Sequence, residues 1–563
     1  MKEANTPNKT IGDSMLKEGK TYDDVYRSFR WDIPQHFNMG VAVSDRHAAI
    51  SPDRTALVVA DEAGKDRTYS FQDISTLSNQ FANALKAQGF TPGDRLAILL
   101  SQSVETAIAH IAAWKLGLIS IPMFTLFGED ALEYRFENSA AKGVVTDTDN
   151  LEKILTVKKR VGWPEKIFAV DAVTQDTDLL DFWKSLSQAS TTFHAVNTLA
   201  DDPGLIVYTS GTTGNPKGAL HAHRTLLGHM PGIEFPHEFF PKENDLFWTP
   251  ADWAWIGGLM NILMGAWFHG VPVLAHRMKK FTPDEAIAVM KKYRVRNTFI
   301  PPTALNMIRQ ADLAPQLQEL NLRTVAVAGE PMGAELLDWG RHAMGVTFNE
   351  FYGQTECNLV VANCGQIMDV KPGSMGKPIP GHQVDILAED GRSAEVGEVG
   401  EIAVKAPDPV MFLEYWRNPE ATRSKFKDQW LLTGDQGYRD EQGYLWFVGR
   451  DDDVITSAGY RIGPTEIEDC LRRHPAVALA AVVGVPDPVR TEAIKAFIVP
   501  KSGVTPSADL EQEIRNLVKT RLSPHEYPRL IEFVNDLPLT VTGKVRRKTL
   551  KEQEAAKHSS SQV

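Results

Sequence analysis

Residues 208–218 read YTSGTTGNPKG. Glycine weakens the interior of a helix or strand, and no apolar side chain here compensates for it. The composition suits another task. Backbone N–H groups left open by Gly211, Gly214 and Gly218, together with the hydroxyls of Thr209, Ser210, Thr212 and Thr213, can wrap phosphate oxygens, and Lys217 adds positive charge. The preceding LIVYT is β-branched, aromatic and apolar, so it reads as a strand running into the turn. A Walker A loop does not fit. Counted from Gly211, positions 216–218 are Pro-Lys-Gly, and the hydroxyl that should follow the lysine is missing. Taken alone the stretch is a weak signal, because a plain flexible turn has the same composition.

Five further stretches change its weight: AGEP at 328–331, YGQTE at 352–356, TGD at 433–435, GRDDDVITSAGYRIGPTEIE at 449–468 and LPLTVTGKVRR at 537–547. With the glycine-rich turn they resemble, in order, the signature motifs of the adenylate-forming superfamily, which holds acyl-CoA synthetases, the adenylation domains of peptide synthetases, and luciferases. The resemblance covers most of the chain. YGQTE, and SFRWDIPQHFN near the N-terminus, are most similar to medium-chain and acetyl-type acyl-CoA synthetases. The resemblance implies two steps. A carboxylate first attacks the α-phosphate of ATP, giving acyl-adenylate and pyrophosphate; the thiol of coenzyme A then attacks the acyl carbon and AMP leaves. Step one brings an anion against a polyanion, so cations are needed where charge builds up.

The same resemblance implies the roles. Lys544 meets the substrate carboxylate and the α-phosphate, Thr355 offers a hydroxyl to that phosphate, and Glu356 is the hard oxygen ligand for Mg2+. Asp435 accepts from the ribose hydroxyls and Arg450 donates to them. Glu350 accepts from the adenine amino group, Gly329, Glu330 and Pro331 flank the ring, and Tyr352, Gly353 and Gln354 complete the nucleotide set. Thr209, Ser210, Gly211, Thr212, Thr213, Gly214 and Lys217 fall to the β- and γ-phosphates. Without the family, TGD is a turn, Glu356 a surface carboxylate, and the basic run around Lys544 a solvated tail. Lys544 must cover the site in step one and leave it in step two, which calls for a domain rotation. The pivot is Asp452, dividing a large domain, 1–451, from a small mobile one, 452–563; after rotation Gly459, Tyr460 and Arg461 face the site and receive coenzyme A. Acetate-specific members close the acyl tunnel with a tryptophan where this chain has Gly353, and Trp253 and Trp255 are candidate walls, with ordinary core packing as the competing reading for Trp253. The acid is therefore larger than acetate: medium-chain, branched, sulfur-containing or aromatic. No carrier domain follows residue 563, which favours free coenzyme A over a carrier protein as acceptor; a non-catalytic nucleotide-binding protein is the remaining rival.

These residues need a scaffold. The 563 residues are 43% hydrophobic and 23% charged, as in ordinary globular proteins. A net charge of −12 argues against nucleic acid as a partner, leaving a small-molecule acid, ATP and coenzyme A; a homodimer stays open. Three cysteines form neither a disulfide framework nor a zinc pattern, and a cytoplasmic location is the expectation. The N-terminus lacks the apolar run of a signal peptide, and 257–275, though uncharged, reads as a buried helix, turn and strand rather than a membrane span. Helical spacing over 70–88, with Ser70 as N-cap and Gly89 as stop, precedes the buried strand RLAILL; TPDE at 282–285 predicts a capping box; strand-like NTFIPP and TVAVAGE follow. Strands alternating with helices predict an α/β protein with parallel-rich sheets flanked by helices. The resemblance adds a β-barrel-like part to the large domain and makes the last stretch, about 110 residues, a small α+β domain. His221 and His223 share a strand face, where packing is favoured over metal binding because no third ligand is evident.

Overall fold

The computed structural model describes residues 14–60, 64–171, 179–209, 215–278, 280–311, 313–330, 332–450, 453–457, 460–487, 491–521, 527–540 and 544–560. The helix expected after Ser70 spans Phe71–Ala87. Ser70 accepts from Asp73 N while Asp73 reaches back to Ser70 N, and Gly89 follows with φ +81°. The helix Pro283–Lys292 has Thr282 as its N-cap and proline in its first turn. Only half of the expected capping box forms, because the Glu285 carboxylate turns to His276 Nε2 at 2.8 Å.

Three sheets result. In the first, six parallel strands from Arg95–Leu99 to Pro203–Thr209 meet the antiparallel strand Lys217–Ala222, with Glu414–Tyr415 at the edge. The glycine-rich turn thus joins two neighbouring antiparallel strands. The second sheet is parallel from Thr55–Val59 through Val273–Ala275, Phe247–Trp248, Asn297–Phe299 and Thr324–Val327 to Phe348–Gln354. It then turns antiparallel through Cys357–Ala362, Ser374–Pro378, Leu445–Arg450, Trp430–Arg439, Gly400–Lys405 and Val384–Leu387. This antiparallel end corrects the barrel expectation: among the described residues its strands run as an open path whose last member pairs with no earlier one. Residues 257–275 form a buried π-helix, Gly257–Met264, a short α-helix and the strand Val273–Ala275. No helix among the described residues is long and apolar enough to cross a membrane.

The third sheet belongs to the C-terminal part. Strands Tyr460–Ile462, Ile455–Ser457, Thr491–Pro500 and Val477–Asp487 pair antiparallel, with Leu530–Phe533 added in parallel. Its own core packs Ile455, Ile467, Cys470, Leu471 and Val482, so Cys470 sits on the buried face of helix Pro464–Arg472. Contact with the large domain is close. A methyl group on Gly463 would lie 2.0 Å from the carbonyl oxygen of Val448, and Arg473 reaches Glu335 at 3.9 Å.

The strand that backs the site depends on a bare backbone. Gly376 has φ +97°, and a Cβ there would stand 2.1 Å from the carbonyl oxygen of Ala362. Gly397 has φ +81° with open space around it. Gly376→Ala should cost about 3 kcal/mol or more, strain and overpacking combined, while Gly397→Ala should cost about 1 kcal/mol. Denaturant midpoints of the two variants check the difference.

Candidate active site

The hairpin Phe348–Gln354 and Cys357–Ala362 presents alternate side chains to opposite faces, and its turn is Thr355-Glu356. On one face Tyr352 Oη donates to Asp435 Oδ2 at 2.6 Å, and Gln354 Nε2 donates to the same oxygen at 2.6 Å. Asp435 lies on Trp430–Arg439, directly across from Arg450 on Leu445–Arg450. Lys425 Nζ donates to the Leu432 and Thr433 carbonyls, each at 3.0 Å. Burial pushes the Asp435 carboxyl up, against the opposing pull of the Tyr352 hydrogen bond and the Arg450 and Lys425 charges. Glu350, wholly enclosed, is raised well above the carboxylate range by burial; Met332 N donates to it at 3.4 Å.

At the hairpin turn, Tyr415 Oη donates to Glu356 Oε1. Lys217 Nζ stands 5.2 Å from the centre of the same tyrosine ring. The lysine of the glycine-rich stretch and the carboxylate of YGQTE therefore share one neighbour. Thr209 Oγ1 donates to the Lys217 carbonyl at 3.4 Å, closing the two strands below the turn. Thr303 Oγ1 donates to Glu330 Oε2 at 2.6 Å.

Lys544 enters from the C-terminal domain. A Cβ built on Gly329 would lie 4.0 Å from Lys544 Cε. The lysine is an exposed residue that lies close to the large domain. Desolvation lowers the pKa of its ammonium, Glu330 and Asp435 counter that effect, and Arg450 adds to it. All three are candidates from distant stretches of sequence, and Lys544 joins them in one field. Its loop is tied shut: Thr540 N donates to the Lys544 carbonyl at 2.7 Å and Lys544 N to Thr540 Oγ1 at 3.0 Å. Three residues on, Arg547 binds Glu468 at 2.7 and 3.0 Å and Asp453 at 3.2 Å.

Other candidates stand apart or out of view. Trp253 is fully buried in the main core, while Trp255 is half-buried and edge-on to Phe124 at 6.3 Å. Gly353 faces backbone rather than open space: a Cβ there would meet Leu359 N at 2.9 Å and the Cys357 carbonyl at 3.0 Å. The wall nearby is Leu359. Tyr460 and Arg461 lie on the strand Tyr460–Ile462, paired with Ile455–Ser457. Ser210, Gly211, Thr212, Thr213, Gly214, Pro331, Asp452 and Gly459 lie outside the described residues. His221 and His223 are buried, and Met39 N donates to His223 Nδ1 at 3.2 Å; among the described residues no group of three His, Cys, Asp or Glu side chains is placed to hold a metal. Tyr415 and Lys425 were missed by sequence reasoning. Neither sits in a glycine-rich or charged motif, and only strand pairing across about 200 residues brings Tyr415 to Ala219.

Residues 44–416 match the family model described as AMP-binding enzyme, and residues 466–544 match the AMP-binding enzyme C-terminal domain. The chain belongs to the AMP-binding enzymes. Among relatives of this AMP-binding enzyme, acetyl-coenzyme A synthetase of Bacillus subtilis is 36% identical over 549 residues, spanning 94% of this chain and 95% of that one. The mitochondrial acyl-coenzyme A synthetase ACSM3 of Mus musculus is 34% identical, spanning 95% and 93%. The anthranilate CoA ligase AuaEII, solved with anthranoyl-AMP, superposes with a TM-score of 0.85 at 28% identity over 94% of this chain and 99% of that one. ATP-bound MatB from Rhodopseudomonas palustris gives 0.80 at 28% identity over 92% and 98%. The AMP-binding enzyme described here is thus a ligase of the AMP-forming acyl-CoA synthetase family.

The electrostatics of Lys544 make a chemical prediction. Its amine should react with acetic anhydride at pH 8–9 faster than the other exposed lysines, because more of it is neutral there. Glu330→Gln removes a group that favours the charged form and should move the titration further down. Mass-spectrometric labelling against pH reads both.

Proposed function

We propose that this chain activates a carboxylic acid larger than acetate, of the medium-chain, branched or aromatic kind, and joins it to free coenzyme A. The observation that carries the reading is the convergence of Lys544 with Gly329, Glu330, Asp435 and Arg450. A detached basic tail would have no reason to bring an ammonium up to these groups.

In this mechanism Asp435 and Arg450 hold the ribose, and Glu350 and the 329–331 loop hold the adenine. Tyr352 is anchored at its hydroxyl by Asp435, which fixes its ring beside the base. Lys544 then lies where the substrate carboxylate and the α-phosphate meet. The arriving polyanion favours its charged form and offsets the desolvation felt in the free protein. The carboxylate oxygen attacks phosphorus, the bond to the β-phosphate oxygen breaks, and pyrophosphate leaves toward Lys217 and the glycine-rich turn. Glu356 fits magnesium: such an ion needs only one or two protein carboxylates, its other positions being filled by phosphates and water. Tyr415 orients that carboxylate by occupying one of its oxygens. When bound, the ion would neutralise charge on the leaving phosphates. In the second step the coenzyme A sulfur bonds to the acyl carbon, the acyl–phosphate bond breaks, and the thiol proton passes to solvent. For that step the C-terminal domain rotates about Asp452, withdrawing Lys544 and bringing the 459–461 strand forward.

With ATP, free coenzyme A and a panel of acids, the protein should release AMP and pyrophosphate. Release of ADP and phosphate, or product only with a carrier protein, would reject the reading. Lys544→Ala should slow adenylate formation about 10²–10³-fold, as for loss of a charge-stabilising donor, and largely spare thioester formation from supplied acyl-adenylate. Single-turnover assays of each half-reaction check the split.

A further inference from the structure

Phe351 points away from Tyr352, to the other face of the site hairpin. There a narrow cavity has Gly232, His237, Phe299, Phe351, Leu359 and Asn261 among its lining residues. Leu359 connects it to the site, since its backbone lies against Gly353 and its side chain against Gly232. Two of the side chains lining it carry polar atoms: His237, whose Nδ1 is paired with Thr324 Oγ1 at 2.8 Å, and Asn261, 3% exposed.

Its amide is oriented by a chain of hydrogen bonds that can be read in one direction only. The Thr225 carbonyl can only accept, so His229 Nδ1–H donates to it at 2.6 Å, which leaves His229 Nε2 as an acceptor. Burial lowers the pKa of this histidine to about 4, so it is neutral at physiological pH. Asn358 Nδ2 spends one hydrogen on His229 Nε2 at 3.0 Å and the other on Asn261 Oδ1 at 2.9 Å. The amide NH2 of Asn261 is thereby turned outward from the network. Its nitrogen is buried and has no partner among the described residues. It lies 3.8 Å from where a Cβ on Gly257 would be, beside Phe299, whose Cε1 lies 3.5 Å from the same point. Gly257 opens the π-helix that also carries Asn261, and the missing side chain leaves the approach to the amide clear. An acceptor placed against this donor would avoid the cost of a buried donor left unpaired, about 1–3 kcal/mol.

Resting on the function proposed above, we infer that Asn261 sets specificity by donating a hydrogen bond to an oxygen on the distal part of the acyl group. The favoured acids carry a keto, hydroxyl or ether oxygen away from the carboxylate, and plain hydrocarbon acids of equal length bind less well. Apolar walls separate neighbours in a homologous series weakly, whereas a buried donor left unpaired penalises an acid that lacks the oxygen.

The test uses matched pairs on the full chain: straight-chain acids of four to eight carbons against their penultimate-oxo counterparts, and benzoate against its hydroxy derivatives. At least one oxygenated acid should exceed its partner in kcat/KM by about 10- to 100-fold. Asn261→Leu should bring that ratio to one or below. Each ratio is internal to one protein sample, so a smaller folded fraction cancels. Asn358→Leu, which frees the Asn261 amide to rotate, should compress the ratio as well and serves if the first variant does not fold. Hydrocarbon acids matching or beating their partners in every pair, or ratios unchanged in both variants, would overturn the inference while leaving the synthetase reading intact. Absence of AMP release with any acid overturns that reading, and the inference with it.

Discussion

A buried carboxylate at position 435 organises the site. It receives hydrogen bonds from Tyr352 and Gln354, faces Arg450 across a strand pair, and contributes to the field around Lys544. Such a group is stable in a low-dielectric setting only when its lone pairs are met by donors or cations. The parts that meet them come from three separate regions: the hairpin that ends the parallel run of the large sheet, the antiparallel pair 430–450, and the C-terminal domain. Satisfying one carboxylate therefore brings Tyr352, Gln354, Arg450 and Lys544 together in a single act of folding.

The large sheet explains why those regions meet. Its parallel half ends at Phe348–Gln354, and its antiparallel half begins with the next strand. The change of direction leaves a site at the carboxyl end of the last parallel strand, the usual place for ligands in open α/β sheets. The smaller, eight-stranded sheet brings Lys217 up to the same place, and Tyr415 pins the two sheets together by touching both Glu356 and Lys217.

Much of this was legible from the residues, for reasons that can be named. Local signals survive in local structure: Ser70 caps its helix, Gly89 ends it, Cys470 takes the apolar face of its helix, and LIVYT is a strand. Among the described residues, Glu330, Asp435, Arg450 and Lys544 converge from four separate motifs. What could not be read depends on long-range pairing. Glu285 abandons its capping role for His276 because a strand end happens to pass by. The antiparallel strands stay open where a barrel was expected, since closure is decided by stagger and tilt, which no single strand encodes. Tyr415 and Lys425 enter the site only after strands distant in sequence have paired. The sequence carries no sign that the backbone of Cys357 and Leu359, rather than open space, faces the bare position at Gly353.

Arg547 joins the lysine loop to Asp453, immediately beyond the proposed pivot, and to Glu468 on the helix behind it. Thr540 on one side and Arg547 on the other thus tie down the chain that flanks position 544. In the proposed rotation these ties would carry the lysine along with the helix behind it, so that withdrawal of the cation and admission of the thiol would fall to one stroke of a lever with its tip welded on.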